Sequence, residues 1–352
     1  MLLSESSRRP AVYWCPVAKQ PVPKLDENRI VRLLRRRFGA DRAPLIKGIG
    51  DDAAVWHPRG SREYWIVTTD MLLEGVDFRG SWLTPAQLGH KSLAVNLSDL
   101  AAMGARPRFF TVALALPTDV TERWIGAYYR GMSKLARQHS AVLIGGDLSR
   151  SPLGIQVTIT AIGETSRRRP IYRSGGRPGD VLFVTGILGK AAAGLALLLR
   201  GHTRGKSISE RSALKAQRTP DPRCEVGSWL ARSGFVHCMM DLSDGLSMDL
   251  PRLCEASGVG AEIFGEQIPI YPDASRWRCD PLELALHGGE DFELLFAVSA
   301  GKAEDLEKAY PSGFPALSRI GRLRRKSGIV WTPCSGATPR PLIPEGFDHF
   351  RR

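Results

Sequence analysis

Cysteine, long apolar runs and acidic residues are scarce in this 352-residue sequence, and each shortage narrows what the chain can be. The six cysteines (Cys15, Cys224, Cys238, Cys254, Cys279 and Cys334) are scattered and form no CxxC pair. That argues against a disulfide framework and fits free core thiols in a reducing compartment. No window approaches the ~20 apolar residues of a membrane span. The best stretch, Gly189 to Leu199, is short, Ala-rich and followed by Arg200. The apolar run after Arg8 and Arg9 is too short for a secretory signal and is broken at Pro16, so a cytoplasmic protein is expected.

Asp and Glu number 36 against 49 Lys and Arg, a net charge of +13. A nucleic acid, a membrane surface or a small polyanionic substrate could answer such a charge. The basic clusters Arg35-Arg36-Arg37, Arg167-Arg168-Arg169 and Arg322 to Lys326 have no interleaved aromatics and no nucleic-acid-binding signature, so they read as solvated faces. HExxH and GxSxG are absent, and the seven histidines lie far apart. Gly201 to Ser207 resembles a Walker A loop, but three residues separate its glycines where four are needed. Residues 201–220 therefore read as a polar, mobile linker.

What remains is ordinary globular composition, 43% hydrophobic and 24% charged, in a chain long enough for roughly two domains. Residues 1–24, with four prolines, read as a poorly ordered extension. Leu25 to Phe38 has the period of an amphipathic helix capped by Asp26. Tyr64 to Thr69 reads as a strand ending on Asp70, Leu88 to Met103 as a helix, and Phe109 to Leu116 as a strand. Thr121 to His139 is helical, and Ala141 to Ile144 is a short buried strand running into Gly145-Gly146-Asp147. Ile155 to Ile162 alternates again. A loop at 164–180, rich in Arg, Gly and Pro, divides the chain into 25–165 and 166–352. Beyond it come strand Val181 to Thr185, helix Gly189 to Arg200, helix 222–232, strand Cys238 to Met240, helix Leu246 to Ser257 and strand Phe292 to Val298. This alternation predicts an α/β or α+β architecture.

A carboxylate recurs where an apolar element meets a Gly-, Ser- or Thr-rich loop: Asp51 and Asp52, Asp70, Asp99, Asp147, Asp241 and Asp244, Glu290 and Asp291. One such Asp is ordinarily a cap or turn former. Six sites of one design point elsewhere, because strand-end loops converge where α/β proteins bind ligands. Carboxylates and hydroxyls without His or Cys are hard-oxygen ligands that suit Mg²⁺. They would repel a phosphate unless divalent ions lie between, so the pattern implies several Mg²⁺ bridging Asp to a polyphosphate. The glycines at 48, 50, 145, 146, 288 and 289 allow backbone N–H donation, and Arg173 offers a planar fork.

The series Gly48-Ile49-Gly50-Asp51-Asp52-Ala53-Ala54, Thr68-Thr69-Asp70, Glu74-Gly75-Val76, Asn96-Leu97-Ser98-Asp99-Leu100-Ala101-Ala102-Met103-Gly104, Gly145-Gly146-Asp147, Arg173-Ser174-Gly175, Pro178-Gly179-Asp180, Asp241-Leu242-Ser243-Asp244-Gly245-Leu246 and Gly288-Gly289-Glu290-Asp291-Phe292-Glu293-Leu294 resembles the thiamine-monophosphate kinase family. That family lies in the superfamily of aminoimidazole ribonucleotide synthetase and selenophosphate synthetase. The match runs in order from about residue 25 to Phe350. The resemblance implies a two-domain fold, an N-terminal α/β half forming a homodimer and an ATP site, and a C-terminal α/β half. It implies ATP-dependent, Mg²⁺-dependent phosphorylation of thiamine monophosphate. The alternative is a sister activity with another acceptor, such as amide dehydration or selenophosphate synthesis.

Carried over by position, the resemblance makes Asp51, Thr68, Thr69, Asp70, Asp99, Asp147, Asp241 and Asp244 metal ligands, and Tyr129, Gly146, Asp147, Arg173 and Ser243 ATP contacts. Asp147, Asp70 and Arg173 would be catalytic, and Asp77, Glu290 and Phe347 would bind the thiamine end. Asp77 is a departure, since many family members have His there. Neither a nucleic acid nor a membrane is expected as a partner.

Overall fold

A computed structural model describes residues 27–39, 42–165 and 170–349. The extension 1–24, the cap assigned to Asp26 and the arginines 167–169 lie outside the described residues.

The first half runs α1 (Glu27–Phe38), β1 (Leu45–Lys47), β2 (Ala54–Trp56), β3 (Tyr64–Leu73), α2 (Pro85–Ala102), β4 (Arg106–Leu116), α3 (Glu122–Gln138), β5 (Val142–Arg150) and β6 (Gln156–Thr165). Its sheet has the order β1-β2-β3-β6-β4-β5. Every neighbouring pair is antiparallel except β4 with β5. The second half runs β7 (Val181–Thr185), α4 (Lys190–Leu199), α5 (Ile208–Arg218), α6 (Cys224–Ser233), β8 (Val236–Asp241), α7 (Leu246–Ser257), β9 (Gly260–Phe264), α8 (Pro281–His287), β10 (Leu294–Val298), α9 (Ala303–Ala309), β11 (Leu317–Arg324), β12 (Ile329–Thr332) and β13 (Arg340–Pro341). Its sheet has the order β13-β12-β9-β11-β7-β10-β8 and is parallel only between β12 and β9. Helices packed on largely antiparallel sheets put the molecule at the α+β end of the expected class. Among the described residues no helix is long and apolar enough to cross a membrane.

The position of α2 organises the site. It begins at Pro85, ahead of its apolar run, because Thr84 and Gln87 close a capping box. Its side chains are buried on nearly every face, as suits a helix enclosed on all sides. Leu97 and Leu100 share one core cluster with Ile66 and Ile159 of the first sheet and with Met239 and Phe296 of the second. Asp99 is thereby carried beside Asp70 within β3 and Asp241 at the end of β8.

Four local expectations change. β3 continues past Asp70 to Leu73, and β5 continues through Gly145-Gly146-Asp147 to Arg150, so these motifs lie within strands. Gly146 pairs with Val112, and a Cβ there would stand 1.9 Å from Val112 O, so close strand approach demands glycine. β5 is exposed along its whole length, not buried. Its apolar side chains lie at a sheet edge that nothing in this chain covers among the described residues. The linker expected at 201–220 contains α5, started by a Ser207–Glu210 capping box. Its sequence reads as polar because only a narrow stripe, including Ala213, Leu214 and Gln217, faces inward.

Candidate active site

The 48–54 loop turns at Gly50, whose φ of 109° favours glycine, and delivers two adjacent aspartates to different tasks. Asp51 Oδ1 accepts from Arg173 N at 3.0 Å and Asp52 N at 3.2 Å, and its Oδ2 lies 3.2 Å from Lys47 Nζ. Asp51 thus braces the loop against the Arg173 segment. Asp52 Oδ1 accepts from Arg173 Nε at 3.0 Å and Nη2 at 2.6 Å, while its buried Oδ2 has no hydrogen-bond partner.

Asp52, Asp99 and Asp241 present carboxylate oxygens within 4.8 Å of one another. Thr68 Oγ1 donates to Asp99 Oδ2 at 2.5 Å, Ser98 Oγ to Asp241 Oδ2 at 2.6 Å, and Asp70 N to Asn96 Oδ1 at 3.1 Å. Burial and the neighbouring carboxylates push Asp52 up to about 7 and Asp70 and Asp241 up to about 6, and they raise Asp99 well above the ordinary carboxylate range. Burial opposes the charge on Arg173, but its bonds to Asp52 and the nearby Asp51 and Asp241 raise its pKa overall. One guanidinium therefore stands against four acids. An orphaned buried oxygen, an all-oxygen donor set and excess negative charge fit a hard divalent cation such as Mg²⁺.

These groups occupy one end of a cavity of about 980 Å³. Of the sequence-predicted site residues, Asp51, Thr68, Thr69, Asp70, Asp77, Asp99, Arg173, Asp241, Ser243, Asp244, Glu290 and Phe347 line it. Tyr129, Gly146 and Asp147 do not. Asp147 pairs with Ala113, Ala113 with Thr158, and Thr158 with Met71. That is three inter-strand spacings, about 14 Å, from β3, on the open face that also carries Thr69.

The same cavity is also lined by Trp82, Leu195, Leu199, Phe347, Asp77 and Glu290. Lys91 Nζ, on α2 and only 1% exposed, contacts Glu290 Oε1 at 2.6 Å and Gln217 Oε1 at 2.7 Å. Gln217 Nε2 donates to Glu290 Oε2. Glu290 and Phe292 sit at φ 67° and 50°, uncommon for non-glycine residues. Asp291, between them, is not a cavity group. Its buried carboxylate accepts from Gly189 N at 2.6 Å and Ala191 N at 3.0 Å at the start of α4. Burial pushes Asp291 up to about 7.

Sequence reasoning missed several participants. The ligands named from it include Asp51 and not Asp52, although both line the cavity and only Asp52 joins the close group with Asp99 and Asp241. Arg252, at 2.5 Å from Asp244 and 2.8 Å from Asp249, is an i,i+3 partner on α7 that charge spacing could have flagged. Lys91 is the one Lys or Arg inside an otherwise largely apolar helix, which is itself a signal.

Most of the chain consists of two domains of the AIR synthase related type. The model of the N-terminal domain matches residues 50–165 and that of the C-terminal domain residues 177–331. The thiamine-monophosphate kinase of Bacillus subtilis (strain 168) is 38% identical over 306 residues, 86% of this chain and 93% of that protein. That of Escherichia coli (strain K12) is 38% identical over 318 residues, 89% of this chain and 95% of that protein. A solved structure of AaThiL complexed with AMPPCP and TMP aligns with a TM-score of 0.82 at 28% identity, covering 95% of this chain and 100% of that one. The chain belongs to the thiamine-monophosphate kinase family.

Proposed function

We propose that this protein transfers the γ-phosphoryl group of ATP to thiamine monophosphate, giving thiamine diphosphate and ADP, the last step in making that diphosphate. One observation carries the reading: a single cavity lined both by a carboxylate cluster with an orphaned buried oxygen and by Asp77, Glu290 and aromatic side chains. The names of its relatives and the AMPPCP and TMP of the AaThiL complex support it.

The acceptor phosphate oxygen is anionic at neutral pH, so no general base is required. It attacks the γ-phosphorus in line, the bond to the β–γ bridging oxygen breaks, and ADP leaves with that electron pair. The protein's part is positioning and charge neutralisation. Arg173 faces the transferred group, Ser243, Tyr129 and Gly146 hold the nucleotide, and Asp77, Glu290 and Phe347 hold the thiamine end. Asp52, with Asp51, Thr68, Thr69, Asp70, Asp99, Asp147, Asp241 and Asp244, would hold several Mg²⁺ ions, which when bound screen the polyphosphate from these carboxylates.

The working form is a cytoplasmic homodimer, and the domains divide at 165/166. The exposed apolar side chains of β5, with Leu148 at 70% exposure, support a second copy packed on this edge. Such packing would bring Asp147 and Tyr129 toward the partner's cavity. ADP release from Mg²⁺-ATP with and without thiamine monophosphate, with thiamine diphosphate assayed as product, tests the activity. Diphosphate formed only with the acceptor is expected. ADP without the acceptor, or none at all, overturns the reading in favour of another acceptor.

A further inference from the structure

We propose that Lys91 is a positioning residue that neutralises Glu290, which leaves Asp77 as the carboxylate whose charge selects a positively charged ring in the acceptor. This inference rests on the reading of the cavity as the thiamine monophosphate site.

Two carboxylates line the outer end of the cavity, and their surroundings differ. Both oxygens of Glu290 are engaged, one by the Lys91 ammonium at 2.6 Å and the other by the Gln217 amide. Lys91 comes from α2, Gln217 from α5, and Glu290 from the loop before β10, so three elements meet in this triad. As a unit the triad is electrically neutral and fixed, able to offer shape and hydrogen bonding but little net field.

Asp77 has no such counter-ion. Its Oδ2 accepts from Leu73 N at 2.7 Å, and it makes no ion pair among the described residues. The charged groups that act on it are His349, Glu290, Lys91 and Asp70; Lys91 is already matched to Glu290, and His349 packs edge-on against Phe347 and makes no ion pair with Asp77. The other cation on this wall, Arg79, lies over the Trp82 ring at 4.7 Å. A half-buried, unpaired carboxylate near Phe347 is the group that can discriminate a flat cation from a flat neutral ring. Thiamine monophosphate carries such a cation in its thiazolium.

The test compares kcat/KM for thiamine monophosphate with kcat/KM for its 3-deaza analogue, in which a neutral thiophene replaces the thiazolium. The wild-type enzyme is expected to prefer the charged acceptor by about tenfold, a modest effect because Asp77 is partly solvated. Asp77→Asn is expected to bring that ratio to about one, mainly through KM of the charged acceptor. The double variant Lys91→Met/Glu290→Gln removes the pair at constant net charge, and it is expected to keep the ratio within about twofold while raising KM for both acceptors together. A purely structural role for Asp77 would lower both acceptors alike and leave the ratio unmoved. An unchanged ratio in Asp77→Asn overturns the proposal, as does a collapsed ratio in the double variant. Asp77→Asn lies in an open loop and decides the matter even if the double variant does not fold. Should the wild-type protein make no thiamine diphosphate, the functional reading has failed instead, and the two failures are distinct.

Discussion

At the inner end of the cavity Asp52, Asp70, Asp99 and Asp241 share one guanidinium, whereas at the outer end Glu290 has an ammonium and an amide to itself. Burial separates them in part, since the Glu290 side chain is 27% exposed and that of Asp52 is fully buried. What also separates them is whether the fold supplies the counter-charge. Where it does, the acid is a fixed part of the wall. Where it does not, the deficit is an opening for something from solution. The neighbours Asp51 and Asp52 differ in their partners, since both have a buried Oδ2 without a hydrogen bond but that of Asp51 has Lys47 Nζ at 3.2 Å, whereas no cation meets that of Asp52 among the described residues.

The largest effect expected is on activity at the uncompensated end. Asp52→Asn, Asp70→Asn or Asp99→Asn should each lower kcat by about a thousandfold with the far-ultraviolet dichroism unchanged. Near-normal turnover in any of them would break the comparison. Asp51→Asn should cost at least about tenfold less, because its carboxylate is already shared with Lys47 and the Arg173 main chain. Asp147 sharpens the same point across copies of the chain. Asp147→Asn and Asp70→Asn should be inactive separately, and co-refolding them should restore roughly a quarter of the sites, the statistical share if each cavity draws on two copies. No recovery would confine each site to one chain.

At the compensated end the expected loss is in stability. Lys91→Met leaves Glu290 without its cation and should destabilise the fold by about 3 kcal/mol in urea titrations, most of it recovered when Glu290→Gln is added. The smallest effect is a pH dependence. Asp52, Asp70 and Asp241 have folded pKa values of about 6 to about 7, above the unfolded 3.8, so the folded metal-free state binds the extra protons. Their contribution to stability is full below pH ~4 and is lost as pH rises through 6 to 7. Thermal melts without divalent ions should therefore fall across that window. Added Mg²⁺ should raise the midpoint more at pH 8 than at pH 5.5, since it binds the ionised acids. An equal Mg²⁺ effect at both values would break the link between the raised pKa values and the ion.

The layering and most elements were legible because apolar period and caps are local properties. The helix from Thr121 shows this well, with the cap and Tyr128, Met132 and Leu135 all readable in order. Extent was less legible. β5 runs through two glycines because parallel pairing with β4 tolerates them, and no local propensity announces that. The exposure of β5 was illegible for another reason, since an apolar edge strand reads in sequence like a core strand. Of the acids beside glycine-rich loops, Asp51, Asp52 and Glu290 line the cavity, whereas Asp147 and Asp291 do not. Which acid of a pair joins Asp99 and Asp241, and which lysine reaches Glu290 across 199 positions of sequence, are products of tertiary packing.

The loop bearing Glu290 and Phe292 has a consequence for association. Two non-glycine residues held at positive φ store about 1–2 kcal/mol each. Asp291 at the start of α4 and Lys91 on α2 fasten that loop from two sides. Its conformational freedom is lost when the chain folds, so an arriving ring meets a wall already set, and the entropy of association is left to the ligand's own rotors and to released water.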